Sequence, residues 1–459
     1  MSTVSNLLAR STVHNLIKSR ILLSGPIPVA DYMRLALTAQ PISKDLVTRN
    51  LQGGGGYYMK RDVFGQQGDF ITSPEISQLF GEMIAIWCLQ TWMEIGGPKK
   101  FSVVELGPGR GTLSKDILRV FKQFNHITGS NVTLHLVEIS PFLATIQCDS
   151  LTCRKTKETK DVGEAGQKRE KARKAPEESE SQQQEEEQPL LDPMKEISSD
   201  DGRAAFYHHA IAEETGFPVY WYRDIRDLPQ DFHFYIAHEF FDALPVHKIQ
   251  KVENKWREVL VDISPEEEES TFRYVISRNE TPVIKLLQQN YSSVLQDPRQ
   301  HIEISIDALG ILDNLTNRLT TCGGISTIID YGHNGTKEDT FRAFYKHKLH
   351  DPLCDPGKVD LTADVDFSVI RKLFNHRAVI CGPVTQRDFL SQIGIEHRLQ
   401  MLLDKCKLPK EKEALISGHK MIMEEMGSRF HVMSLLPNIL KTCSPDLKIA
   451  GFSSTSTSS

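Results

Sequence analysis

Phe101-Ser102-Val103-Val104-Glu105-Leu106-Gly107-Pro108-Gly109-Arg110-Gly111-Thr112 is the stretch whose reading decides the fold. Its first six residues form an apolar run of strand length, which stops at a glycine-rich turn. From Thr112 to Phe124 the apolar residues Leu113, Ile117, Leu118, Val120 and Phe121 recur at helical spacing, and a second apolar run follows at Val132 to Val137. Strand, helix and strand in that order make a βαβ unit, whose two strands lie parallel with the helix crossing over one face. Phe232 to Ala237 and Ile325 to Ile329 are further strand candidates, so the chain reads as an α/β protein with a parallel sheet covered by helices. Val246 to Gln250 and Trp256 to Val261, separated by Glu253 and Asn254, read as an antiparallel hairpin added to that sheet.

The turn itself carries chemistry. Glycines there let a ligand approach the backbone, and the helix that follows offers free N–H donors. The spacing is GxGxG; where the dinucleotide pattern GxGxxG requires a third glycine, this chain has Thr112. Glu105 ends the strand just before the loop, and a carboxylate there repels a pyrophosphate but suits the ammonium-bearing end of S-adenosylmethionine. The next strand ends at Glu138, beside the loop at the carboxyl edge, where an acid accepts hydrogen bonds from ribose hydroxyls. Glu105, Gly107, Gly109, Gly111 and Glu138 are therefore the expected cofactor residues.

The 459 residues carry a net charge of −6, which gives no global field for nucleic acid, and nucleic-acid binding is not expected. No apolar run approaches the length needed to span a bilayer, so no transmembrane segment is expected. The 8 cysteines form no CxxC pair, and no metal site is expected. Met1 to Ala30 contains no Asp or Glu, while Arg10, Lys18 and Arg20 are interleaved with apolar residues and Ser and Thr. That is transit-peptide composition, read here as residues 1–24, with an amphipathic helix gathering Leu8 and Leu16 on one side. Residues 25–100 read as an N-terminal helical and lid segment, 101–330 as the cofactor-binding core, and 331–440 as a C-terminal segment shaping a cleft. Within the core, 154–201 is a charged insertion expected to be disordered: a basic block precedes an acidic, Gln-rich one, and almost nothing apolar is available to offset ordering entropy. The tail, 441–459, ends in Ser and Thr and is expected to be disordered too.

Five motifs, Gly68 to Ser77, Glu105 to Gly111, His238-Glu239-Phe240-Phe241-Asp242-Ala243-Leu244-Pro245, Asp330 to His333 and Asp360 to Phe367, together resemble the MidA family of S-adenosylmethionine-dependent methyltransferases. The likeness is greatest to its mitochondrial protein arginine methyltransferase branch, which acts in assembly of respiratory complex I. The chain departs from the family in the run Gly53 to Gly56, where a Pro-containing connection is usual. The resemblance implies a class I, Rossmann-like methyltransferase sheet with helical N-terminal and additional C-terminal elements. It also implies a matrix enzyme that symmetrically dimethylates an arginine in a core, quinone-proximal subunit of complex I, required for its assembly. That subunit is the expected partner, and a homodimer is compatible with the sequence.

Arginine is protonated at ordinary pH, and its planar N–H edges are best held by carboxylates. Glu239 and Asp242 follow a strand at the carboxyl edge, and either or both can clamp a guanidinium; the alternative is that the motif only packs a strand-to-helix turn, with Asp242 capping it. His238 reads as a proton acceptor or a satisfied histidine at a strand end. Asp330, His333, Asp364 and Asp366 are supporting groups or structural ones. Asp69 and Thr72, in a tight Gly and Pro turn, are expected in a lid over the cofactor, while Ser73-Pro74 can equally be a helix start with Ser73 as its cap. Two rivals stay open: a noncatalytic S-adenosylmethionine-binding assembly chaperone, and a nicotinamide-dependent oxidoreductase. Gly109→Val should abolish S-adenosylmethionine binding with little loss of fold, because a branched side chain would stand where the cofactor meets the backbone; tight binding by that variant, measured calorimetrically, would remove the loop assignment.

Overall fold

The computed structural model describes residues 12–40, 55–59, 62–63, 71–98, 100–128, 132–152, 206–265, 271–444 and 447–452. The expected charged insertion lies outside the described residues, as do Gly53, Gly54 and Asp69. A nine-stranded sheet forms the centre. Its main strands are β1 (Phe101–Leu106), β2 (Val132–Val137), β3 (His208–Ile211), β4 (Pro218–Tyr222), β5 (Phe234–His238), β6 (Ile325–His333), β7 (Ala378–Thr385) and β8 (Phe430–Pro437). They lie in the order β7-β8-β6-β5-β1-β2-β4-β3. Strands β4, β2, β1, β5 and β6 run parallel, while β8, β7 and β3 are antiparallel to their neighbours. The chain moves from β1 to β2 on one side and later returns to β5 on the other. That reversal opens a crevice outside the carboxyl end of β1, where open α/β sheets bind ligands.

Alternation along β1 divides two cores. Phe101 and Val103 face a cluster with Trp87, Phe121 and Phe389; Val104 and Leu106 face one with Tyr235, Ile249, Leu312 and Phe367. Glu105 shares the parity of Phe101 and Val103, so it points toward the helix Thr112–Gln123, whose Leu113, Ile117, Leu118 and Phe121 cover that face. A third cluster joins the helix Thr12–Ser24, the helix Val29–Thr38 and the small sheet that holds Asp360–Thr362.

Four expectations change. The hairpin forms, as His247–Val252 against Lys255–Ile263 with Glu253 and Asn254 in left-handed conformation, but it does not extend the parallel sheet. It pairs instead with Phe272–Ile276, His301–Ile304 and Ile27–Pro28 in a separate five-stranded sheet, because its apolar residues divide between the second cluster (Ile249) and the third (Val261). The boundary at residue 330 falls inside β6, and β7 and β8, from the segment read as cleft-shaping, are central-sheet strands. The tail is anchored as far as Phe452, which packs on Phe389 at 5.4 Å, while the buried Trp87 indole donates to the Ala450 carbonyl at 3.0 Å.

The fourth change concerns the segment read as a leader. Residues 1–11 lie outside the described residues, but Thr12–Ser24 is a helix with Val13, Ile17 and Ile21 buried against Ile27, Tyr32 and Phe272, whereas Leu16, Leu22 and Leu23 are exposed. The stripe at i, i+4 and i+8 serves packing, and it runs through different residues from those the import reading paired. Ile17→Ala should therefore destabilise the protein by about 2–4 kcal/mol, since Ile17 is fully buried. Denaturant unfolding followed by circular dichroism checks this, and a loss below about 0.5 kcal/mol would mean that the helix is not part of the core.

Candidate methyl-donor and acceptor site

The glycine loop turns where β1 ends. Gly107, Gly109 and Gly111 have φ of +64°, +55° and +78°, a region unfavourable for side chains, and Gly111 caps the helix Thr112–Gln123. At Gly107 there is a second reason for glycine: a Cβ would stand 2.7 Å from Cδ2 of Phe240. Ser114, one turn into the helix, donates to Glu105 Oε2, and the Glu105 carboxyl is otherwise buried, which pushes its pKa up to about 8.

Glu138 is placed by a separate framework. Its carboxylate accepts from the Ser140 N–H at 2.7 Å and from Gln147 Nε2 at 3.0 Å, and burial raises its pKa to about 7. The same Gln147 amide donates to the Gly109 carbonyl at 2.8 Å and accepts from the Trp221 indole at 3.0 Å. Gln147 thus fixes the spacing between the glycine loop and the acid of the next strand. Glu105 and Glu138 meet the sequence expectation of acids at two adjacent strand ends; Ser114 and Gln147 were not singled out. Ser114 was foreseeable, because the parity of β1 aims Glu105 at the first turn of the covering helix. Gln147, a lone buried amide on the helix Pro141–Thr152, signals less.

The turn after β5 supplies the remaining acids. Asp330, fully buried on β6, accepts at Oδ2 from the N–H groups of Phe240 (3.1 Å) and Phe241 (2.8 Å), and at Oδ1 from its neighbour Tyr331 (2.9 Å). That grip holds Glu239 at φ +49°. Glu239 Oε1 lies 3.4 Å from the Ser73 N–H and from His238 Nε2. Burial, with Asp242 nearby, holds the Glu239 carboxyl well above the usual range, and burial lifts Asp242 to about 6. His238 is neutral, its pKa driven down to about 3 by burial against Phe80. His333 caps a turn through Nδ1, Asp364 pairs with Lys337 and Arg342, and Asp366 pairs with Arg299 and caps a helix; these three, with Asp330, support the backbone.

Glu138, Glu239 and Asp242 line one cavity of about 370 Å³, together with Gly107 and Gly109 of the loop and with Asp360 and Thr362. Tyr58 donates to Asp360 at 2.8 Å, and Arg34, at the rim, is held by Asp31 and Asp307 at 3.0 and 2.8 Å. Thr72 faces both this cavity and a smaller one that reaches Glu105. It precedes the short helix Ser73–Ile76, so Ser73 is not the cap; Ser77 caps the longer helix Gln78–Glu94. Arg110, from the glycine loop, reaches Asp62 at 3.1 Å and Glu75 at 3.4 Å, which ties these two residues upstream of the sheet to the loop. Among the described residues, one group of potential metal ligands, His301, Glu303 and Asp339, lies elsewhere; Lys248 pairs with Asp339 at 2.8 Å, and Glu303 is taken by Thr340 and Phe341. No described helix is long and apolar enough to cross a membrane.

These features fit S-adenosylmethionine: a cradle with no room for a Cβ at Gly107, carboxylates at the ends of β1 and β2, and a cavity continuing past them. The chain's likenesses agree. A family profile described as "Putative S-adenosyl-L-methionine-dependent methyltransferase" matches residues 83–384. The protein arginine methyltransferase NDUFAF7, mitochondrial, of Xenopus tropicalis is 41% identical over 434 residues, covering 94% of this chain and 86% of its own. The human protein of that name is 40% identical over 418 residues (90% and 81%), and the Drosophila melanogaster homologue 41% over 443 (95% and 87%). A superfamily member from Burkholderia thailandensis, crystallised with S-adenosyl-homocysteine, shares the fold with a TM-score of 0.62 at 20% identity, covering 92% of this chain and 91% of its own. The chain belongs to the MidA-like family of S-adenosyl-L-methionine-dependent methyltransferases.

Proposed function

We propose that this chain is a mitochondrial matrix enzyme that symmetrically dimethylates an arginine in a core, quinone-proximal subunit of respiratory complex I, and that assembly of the complex requires it. The relatives' names support methyl transfer to protein arginine and a mitochondrial location, and the motif resemblance supports the substrate and the symmetry. The observation that carries the reading is the cavity wall: Glu239, Asp242 and Asp360 line the space beside the glycine loop, while the rim guanidinium of Arg34 is already engaged by two aspartates. Such a wall is built for a cation.

The bound cofactor supplies a methyl group activated on a sulfonium sulphur. Glu105, Glu138, Thr72 and the glycine loop, with Asp69, hold it in this proposal. On the acceptor side, Glu239 and Asp242 orient the guanidinium so that one nitrogen faces the donor. As the C–N bond forms and the C–S bond breaks, the nitrogen gives a proton to a carboxylate, and raised carboxyl pKa values suit that receipt. Val63, Leu143 and Leu244 line the space with apolar surface and limit water. Glu105 argues against the oxidoreductase; the chaperone alternative is excluded only by turnover.

Two measurements test this. Glu239→Gln keeps the shape but removes the charge that offsets guanidinium desolvation, so cofactor binding should persist while methylation falls by roughly 100-fold or more, about 3 kcal/mol. Unchanged methylation of a recombinant complex I subunit would remove Glu239 from the mechanism. The pH dependence has a definite sign: Glu105 and Glu138, raised to about 8 and about 7, are largely protonated in acid and must ionise to receive the cofactor. Because both must ionise, affinity should rise by on the order of 100-fold from pH 6 to 7.5, the partial titration of the amino-acid amine near the upper end included. Glu105→Gln should lose much of that slope, whereas a flat wild-type profile by calorimetry would mean that these acids do not contact the ligand.

A further inference from the structure

Phe240 occupies a place that methyl transfer alone does not require. Its ring presses on the glycine loop at Gly107 and lines the same cavity as Glu239 and Asp242. It is held there from both ends: the backbone N–H is bound by Asp330 at 3.1 Å, and the ring meets Phe241 edge-on at 5.4 Å and 88°. Phe240 is thus a half-buried aromatic surface that abuts the donor loop and lines the cavity that also holds the acids.

Resting on the arginine reading above, we infer that Phe240 selects the product, by deciding which guanidinium nitrogen receives the second methyl group. After one transfer the acceptor still carries a single positive charge, and Glu239 and Asp242 attract it equally whichever terminal nitrogen faces the donor. Charge cannot make the choice, so it falls to shape. Methylating the same nitrogen twice requires room for the first methyl group beside the incoming one. Methylating the other nitrogen requires only that the guanidinium turn over with its first methyl group away from the loop. A ring packed where loop and cavity meet denies the first arrangement and leaves the second open. Each round is balanced: one C–N bond forms, one sulfonium C–S bond breaks, and one proton passes to a cavity carboxylate.

The test compares the full-length wild type with Phe240→Leu and Phe240→Ala on a recombinant complex I core subunit, scoring symmetric and asymmetric dimethylarginine after acid hydrolysis. S-adenosylmethionine binding is measured calorimetrically on the same preparations. The expected result is cofactor affinity within about threefold of wild type, with asymmetric product rising from undetected to at least a tenth of all dimethylarginine in Phe240→Ala, and less in Phe240→Leu. Should Phe240→Ala lose cofactor binding, Phe240→Leu, which keeps apolar bulk against Gly107, decides alone. Variants that methylate with an unchanged, purely symmetric product overturn the inference. So do variants that bind cofactor but form no methylarginine, since the ring would then hold the acceptor rather than choose its nitrogen, and so does asymmetric product from the wild type. A wild type that binds cofactor and methylates no arginine overturns the arginine reading itself, which is a different failure.

Discussion

The carboxyl edge of the sheet depends on one buried carboxylate. Asp330, on β6, accepts the N–H groups of Phe240 and Phe241 from the turn that follows the neighbouring strand β5. Leaving either donor without a partner in that dry setting would cost about 1–3 kcal/mol. The left-handed backbone of Glu239, itself unfavourable by about 1–3 kcal/mol, persists because these bonds fix the residues after it. From that turn follow the position of Glu239 in the cavity, the pressure of Phe240 on Gly107, and the requirement for glycine there. Three of the five sequence motifs thus meet through a single side chain that touches neither candidate ligand.

The electrostatics follow from the same packing. Glu105, Glu138, Glu239 and Asp242 are all buried enough to be held above their ordinary pKa, and no described lysine or arginine is bonded to any of their carboxylates. Water-filled, such a site binds protons. Filled by a sulfonium-bearing amino acid on one side and a guanidinium on the other, it exchanges those protons for fixed cations, recovering part of the desolvation cost of the acids. Buried carboxylates are poor stabilisers of a fold, so their concentration here marks a candidate ligand site.

Much of this was legible in the sequence because strand parity and strand ends are local properties. The apolar runs at Phe101 and Val132 placed Glu105 and Glu138 at the carboxyl edge, and the GxGxG spacing identified the turn between them. What escaped was long-range. Asp330 looks like any acid in a strand until its partners, some ninety residues earlier, are brought alongside. Gln147 acquires its role only when helix, glycine loop and Trp221 converge. In the helix Thr12–Ser24, acid-free amphipathic composition serves import and packing equally well, and only burial of Val13, Ile17 and Ile21 shows which face packs. At the other end, serine and threonine concealed an anchor made by the buried Ile449, the Trp87 bond to the Ala450 carbonyl and the Phe452 ring on Phe389.

The two halves of the cavity rest on different cores, and this bears on how donor and acceptor sites relate. The donor side, from Gly107 to Glu138, is cut into the carboxyl edge of the parallel sheet and shares its two large clusters. The outer wall, with Asp360 and Thr362, belongs to the small sheet packed into the third cluster, together with the helices Thr12–Ser24 and Val29–Thr38. Tyr58 ties that wall to the donor side: its hydroxyl donates to Asp360, while its carbonyl accepts from Ser140, two residues beyond Glu138. The donor side draws on the segment upstream of the sheet as well, whose Thr72 lines the cavity and whose Glu75 pairs with Arg110 of the glycine loop. Because Arg34 and Thr38 of the helix Val29–Thr38 line the same cavity as Gly107 and Gly109, the N-terminal helices that build the third cluster also help enclose the site, which couples its outer wall to their packing.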